Sequence, residues 1–165
     1  MGRIALTRKR SATAVAMLGC LASLLVATGG SAQAAPSHHG KDPLASGCNI
    51  GARTLSSARL LATDGQDYGY IEMRYSPSCQ TQWIRVKSTI SNCDGSQNDC
   101  LQEISVRRPS GADGGAASFT DYRRGPTAFG RMVYTPNTRA CGTAAVDLGT
   151  RHAYPSGVPG REICG

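Results

Sequence analysis

The sequence predicts an all-β fold, a small disulfide-stapled barrel or sandwich, and three observations point there. Short runs in which apolar and polar residues alternate recur at intervals of about 10 residues, the spacing of strands in small all-β domains. Gly, Pro, Asn and Asp cluster between these runs, and no helical apolar period lasts beyond a turn or so. Six cysteines, Cys48, Cys79, Cys93, Cys100, Cys141 and Cys164, follow an export-type leader and read as a disulfide framework.

The leader is residues 1–34. Arg3, Arg8, Lys9 and Arg10 precede an uncharged stretch from Ser11 to Thr28, and Ala32-Gln33-Ala34 supplies the small residues a signal peptidase accepts, so cleavage is expected after Ala34. A retained membrane anchor is disfavoured by the Gly29-Gly30 break. Lipidation at Cys20 is disfavoured because the apolar segment continues past it to Ala27. Four of the 18 basic residues lie in the leader, which leaves 14 against 11 acidic ones. The basicity of the whole chain is therefore mostly a targeting feature, and neither nucleic acid nor, after cleavage, a membrane is an expected partner. The setting is secreted and extracellular, with a cell-wall association open. With one Trp, six Tyr and two Phe the core is lean, and each disulfide adds about 2 to 4 kcal/mol to the stability of such a domain.

Residues 35–47, rich in Pro, Ser, His and Gly, read as a flexible tether before a β domain over 48–149. Thr54 to Thr63 fits neither period cleanly, so strand and short helix both stay open until the Asp64-Gly65 turn. In Tyr68 to Tyr75, Ile71, Met73 and Tyr75 alternate with Tyr70, Glu72 and Arg74. In Thr81 to Ser88, Ile84 and Val86 alternate with Trp83, Arg85 and Lys87. With Ser76-Pro77-Ser78 between them the two runs form a hairpin. Alternation resumes from Leu101 to Arg107 after the polar loop Ser91 to Asp99, which predicts a second hairpin whose tip is bridged by Cys93 and Cys100. Further short strands are expected at Ala116 to Tyr122, Phe129 to Thr135 and Ala140 to Leu148. Residues 150–165 read as a tail tied back by a disulfide.

The string EMRYSPSCQTQWIRV, Glu72 to Val86, resembles the ELRYSP-x-C-x-x-x-WAR segment of a family of secreted bacterial proteins of unknown function labelled YjfA-like. GKDPLASGCNIGART, Gly40 to Thr54, is similar to that family's entry segment. Tyr134-Thr135-Pro136 with Arg139-Ala140-Cys141 is similar to its closing stretch. The chain departs from the pattern at His38, where the family has a cysteine, and in carrying Cys93, Cys100 and Cys164. Compensation for the missing cysteine at His38 by the new one in the tail suggests Cys48 with Cys164, leaving Cys79 with Cys141. The resemblance implies no activity.

For a binding surface the candidates are Arg74, Trp83 and Arg85 on the outward face of the first hairpin, where an indole beside guanidinium groups would stack on a sugar or hold an anionic polymer. The commoner arrangement has Trp83 covering the core next to Cys79 while Glu72 and the arginines pair across the strands. His38 and His39 do not make an N-terminal copper or nickel chelate, since cleavage after Ala34 places Pro36, which has no amide hydrogen, second in the mature chain; no metal and no cofactor is expected. Arg107-Arg108 and Arg123-Arg124 read as solvated basic loops. Catalysis has little to work with: His152 is the one histidine beyond the tether, and no Gly-x-Ser-x-Gly, phosphate loop or dinucleotide-binding glycine pattern occurs. The function expected from sequence is a non-enzymatic binding or interaction domain, whose partner is an anionic cell-wall polymer or a secreted protein. A secreted protease inhibitor is the alternative, and a hydrolase a more distant one.

Overall fold

Strand residues alternate sides of a sheet, and the alternating runs become antiparallel strands wound into a nearly closed barrel in a computed structural model that describes residues 37–90, 101–109, 115–149 and 151–165. Among these residues there are ten strands and no helix: β1 Arg53–Ala62, β2 Asp67–Ser76, β3 Thr81–Ser88, β4 Gln102–Arg108, β5 Ala117–Arg123, β6 Thr127–Phe129, β7 Val133–Tyr134, β8 Cys141–Asp147, β9 His152–Pro155 and β10 Ile163–Cys164. Their order is β5-β4-β8-β9-β1-β2-β3-β6, with β10 added to β8 and β7 to β3.

The first hairpin forms as expected, with Ile71 opposite Val86 and Met73 opposite Ile84. These four side chains face inward and are fully buried. Leu60, Ile104, Val106, Ala144, Val146 and Ala153 complete the barrel interior. Two glycines are required by close approach. A Cβ on Gly142 would stand 2.5 Å from Ile84 Cγ1 and from Ser105 O, inside the barrel. Gly69, at φ +118°, would place one 2.0 Å from Lys87 O, so no side chain fits where β2 bends against β3.

The gap between β5 and β6 is spanned by side chains. Arg131 donates from its backbone N–H and its Nε to the Asp121 carboxylate at 2.8 and 3.0 Å, and from a terminal nitrogen to Thr120 O at 3.0 Å. Arg123 Nε donates to Phe129 O at 3.2 Å. These bonds cover edges that would otherwise leave unpaired backbone groups.

Several sequence expectations need correction. The second hairpin does not pair β3 with β4. The free edge of β3 is taken by β6 and β7, and β4 pairs with β5 and β8. The Cys93–Cys100 bridge and the leader over 1–34 lie outside the described residues. Cys48 pairs with Cys79 and Cys141 with Cys164, in place of Cys48 with Cys164 and Cys79 with Cys141. The reason is topological: Cys164 on β10 lies directly opposite Cys141 on β8, and the turn holding Cys48 packs against the turn holding Cys79, with their Cα atoms 5.8 Å apart.

The tether reading of 35–47 fails for the described residues 37–47. Gly40 N–H donates to Met132 O at 2.8 Å and Met132 N–H to Lys41 O at 3.0 Å, while Asp42 Oδ1 caps the turn at Leu44 N. This segment continues to Cys48 as a strap across the outside of the barrel. The tail beyond 150 is likewise part of the sheet, for β9 joins β8 to β1 through the pairs Val146 to Ala153 and Leu61 to Tyr154.

Candidate functional site

The expected surface of Arg74, Trp83 and Arg85 does share one face. Arg74 stands directly opposite Trp83, and Glu72 opposite Arg85. The face is not open, however. Trp83 is 0% exposed and packs with Cys48 and Met132, flanked by Ala52, Cys79 and Phe129. The strap covers it, so Trp83 neither stands open for stacking nor covers the main core: it sits beside Cys79 in a second, smaller cluster on the other face of the sheet. Arg85 is ion-paired with Glu72. Arg74 donates to Thr54 Oγ1 at 2.5 Å and to Ala52 O at 2.6 Å, which fastens the end of the strap to the sheet. Burial lowers the Arg74 pKa from its ordinary value, with a further contribution from the neighbouring Arg85 charge. This trio therefore holds structure together and offers no stacking platform.

The expected solvated basic loops are instead strand positions: Arg107 and Arg108 end β4 and Arg123 ends β5, and each of the three has partners. Arg107 forms a two-pronged contact with Glu162, which raises its pKa. Arg108 is 4% exposed and donates to Gly115 O and Tyr134 O. Arg123 reaches Asp42 and Asp121 as well as Phe129.

Beside Arg108, His39 Nδ1 accepts a hydrogen bond from Tyr134 N–H at 3.2 Å, with its ring 5.1 Å from that of Phe119. Burial, and then the Arg108 charge, lower the His39 pKa from its ordinary 6.5. Only the neutral ring has a lone pair to accept with. A folded pKa below the unfolded one means that this contribution to stability is complete above pH 6.5 and is lost as pH falls from there through the depressed folded value. Thermal unfolding followed from pH 7.5 to 5 should show the melting temperature falling in that window. His39→Asn, whose Oδ1 replaces Nδ1 as acceptor, should flatten this part of the slope.

A different set of residues forms an accessible site. At one mouth of the barrel a hollow of about 270 Å³ is lined by Arg53, Leu55, Tyr75, Thr135, Thr138, Arg139 and Gly165, among others. It is assembled from the start of β1, the end of β2 and the loop before β8. Tyr75 faces Gln82 across the hairpin, at the last inward position before the turn, and its ring supports the Arg53 guanidinium at 5.4 Å. Gln82, 4% exposed, donates to Thr138 O at 3.1 Å and accepts from Ala140 N–H at 3.2 Å, so it fixes the loop that carries Thr138 and Arg139. The Thr135 and Thr138 hydroxyls are buried without a hydrogen-bond partner among the described residues.

Tyr75, Thr135, Pro136 and Arg139 belong to the strings that make the sequence distinctive. A family model described as a protein of unknown function, DUF2690, matches residues 36–146. The chain belongs to the DUF2690 family. No curated protein and no solved structure matches it. The part that matches DUF2690 holds the strap, the Cys48–Cys79 bond and the lining of the hollow except Gly165, while β9, β10 and Cys164 lie beyond it. The two disulfides among the described residues are compatible with an extracellular location.

Proposed function

We propose that the mature chain, released by cleavage after Ala34, is an extracellular, non-enzymatic binding domain that holds an anionic polymer of the cell envelope at the mouth hollow. The YjfA-like resemblance fits this setting without adding an activity. The observation that carries the reading is the composition of the hollow. Two guanidinium groups, Arg53 and Arg139, stand with the aromatic ring of Tyr75 around one pocket. Guanidinium forks suit phosphate and carboxylate groups.

The test is retention of purified protein on isolated cell wall at increasing salt, for the natural chain and for Arg53→Ala/Arg139→Ala. Retention of the natural chain should fall with salt. The double variant should bind about tenfold more weakly or worse, since each charged hydrogen bond contributes about 1.5 to 3 kcal/mol. Both arginines are exposed, so its melting temperature should stay within a few degrees of the natural chain's. Equal retention of the two proteins, or none of either, overturns the reading.

A further inference from the structure

Beneath the strap, away from the hollow, one ring nitrogen of His38 and the sulfurs of Cys48 and Cys79 all lie within 4.8 Å of one another. The sulfurs are bonded to each other. His38 Nδ1 is buried and has no hydrogen-bond partner among the described residues. An imidazole nitrogen withdrawn from water without a partner costs free energy, so its position calls for a bonding partner that the oxidised cluster does not supply.

We propose that reduction of the Cys48–Cys79 bond converts this cluster into a site for a thiophilic divalent cation of the Zn²⁺ class, held by the two thiolates and the His38 imidazole. Two thiolates and an imidazole are a donor set this ion favours, and three protein ligands leave a fourth position open. Around a tetrahedral zinc ion the donors stand roughly 3.5 to 3.8 Å apart, given metal–sulfur and metal–nitrogen bonds of about 2.3 and 2.0 Å. Opening the disulfide lets the sulfurs separate by side-chain rotation, over Cα atoms 5.8 Å apart. Cys48 is fully buried, while His38 and Cys79 are half-buried. A hollow of about 320 Å³ lined by His38, Lys41, Asp42, Ala45 and Ser46 gives the ion a way in from the imidazole side.

The steps balance. Two equivalents of a low-molecular-weight thiol deliver two electrons and two protons to the disulfide, leaving two cysteine thiols and one external disulfide. The cation then displaces both thiol protons, and two thiolates neutralise its charge. Disulfide and cation are thus mutually exclusive, which makes the site redox-gated.

Co²⁺ is the probe, because tetrahedral thiolate ligation gives it a charge-transfer band and visible d–d bands. The full chain is titrated anaerobically with Co²⁺, oxidised and after reduction by a phosphine, alongside His38→Ala and Cys141→Ser/Cys164→Ser. Alkylation and peptide mapping then identify the thiols the ion protects. The reduced chain should bind one Co²⁺ and protect Cys48 and Cys79, and the oxidised chain should give no bands. His38→Ala should bind at least about tenfold more weakly, as even the loss of an outer-shell partner costs that much. The Cys141→Ser/Cys164→Ser variant should bind as the natural chain does. The inference is overturned by His38→Ala binding within about twofold of the natural chain, by protection of other cysteines, by bands in the oxidised chain, or by loss of the far-UV β-sheet signal on reduction alone.

Discussion

Trp83→Ala should destabilise the protein by about 3 to 5 kcal/mol, the range for truncating a large aromatic in a packed interior. Trp83 has no exposed surface, and its neighbours Cys48, Met132, Ala52, Cys79 and Phe129 come from the strap, the hairpin turn and the segment around β6. No single neighbour can close the cavity without detaching a bonded element, because Met132 is tied to Lys41 and Gly40 through backbone hydrogen bonds. Urea denaturation should show a much lower midpoint for the variant. Trp83→Phe should cost a fraction of this. It keeps most of the apolar bulk, and it removes an indole Nε1 that is buried without a hydrogen-bond partner among the described residues. A Trp83→Ala melting temperature within a few degrees of the natural chain's would mean that the strap does not cover the ring.

The sheet face that carries Trp83 was legible in the sequence, but its burial was not. Alternation over Tyr68 to Tyr75 and Thr81 to Ser88 places Glu72, Arg74, Trp83 and Arg85 on one face, and the observed register has those pairs opposite one another. What covers the face comes from some 30 residues upstream, and it is held by backbone bonds, caps and a disulfide. None of these leaves an apolar period, so Ser37 to Gly47 looks like a tether on composition alone. Strand β1 was ambiguous for a related reason. Its register shifts between Thr54 and Ser56 and again between Arg59 and Leu61, and each irregularity breaks the alternation a period count relies on.

The pairing of the cysteines and the hollow share a second obstacle. Cys141 meets Cys164 because β10 returns to β8, and Arg53 meets Arg139 because β1 and the loop before β8 end at the same barrel mouth. Both facts depend on strand order, which local patterning does not encode. The strings around Tyr75 and Tyr134-Thr135-Pro136 did single out the residues that line the hollow, without placing them together.

Cys48→Ser/Cys79→Ser should lower stability by about 3.7 kcal/mol, from the chain entropy released when a loop of 31 residues is opened in the unfolded state. The same reasoning gives about 3.4 kcal/mol for Cys141→Ser/Cys164→Ser, whose loop spans 23 residues. The two variants are nearly equal in size but should differ in kind. The first bond anchors the strap over the single tryptophan, so its loss should shift Trp83 emission towards the red under native conditions, as water reaches the ring before the barrel unfolds. The second bond ties β10 to β8 on a different part of the sheet, and its loss should leave Trp83 emission unchanged until global unfolding. Emission spectra recorded below the unfolding midpoint, together with urea curves for both variants, separate these outcomes. A red shift in both, or in neither, would contradict the role of Cys48–Cys79 as the anchor of the strap. The anchoring itself follows from the hydrogen bonds already in place. At one end Arg74 holds Ala52, and at the other Met132 holds Gly40 and Lys41. Cys48 lies between them, so its bond to Cys79 pins the middle of a segment whose two ends are already fixed.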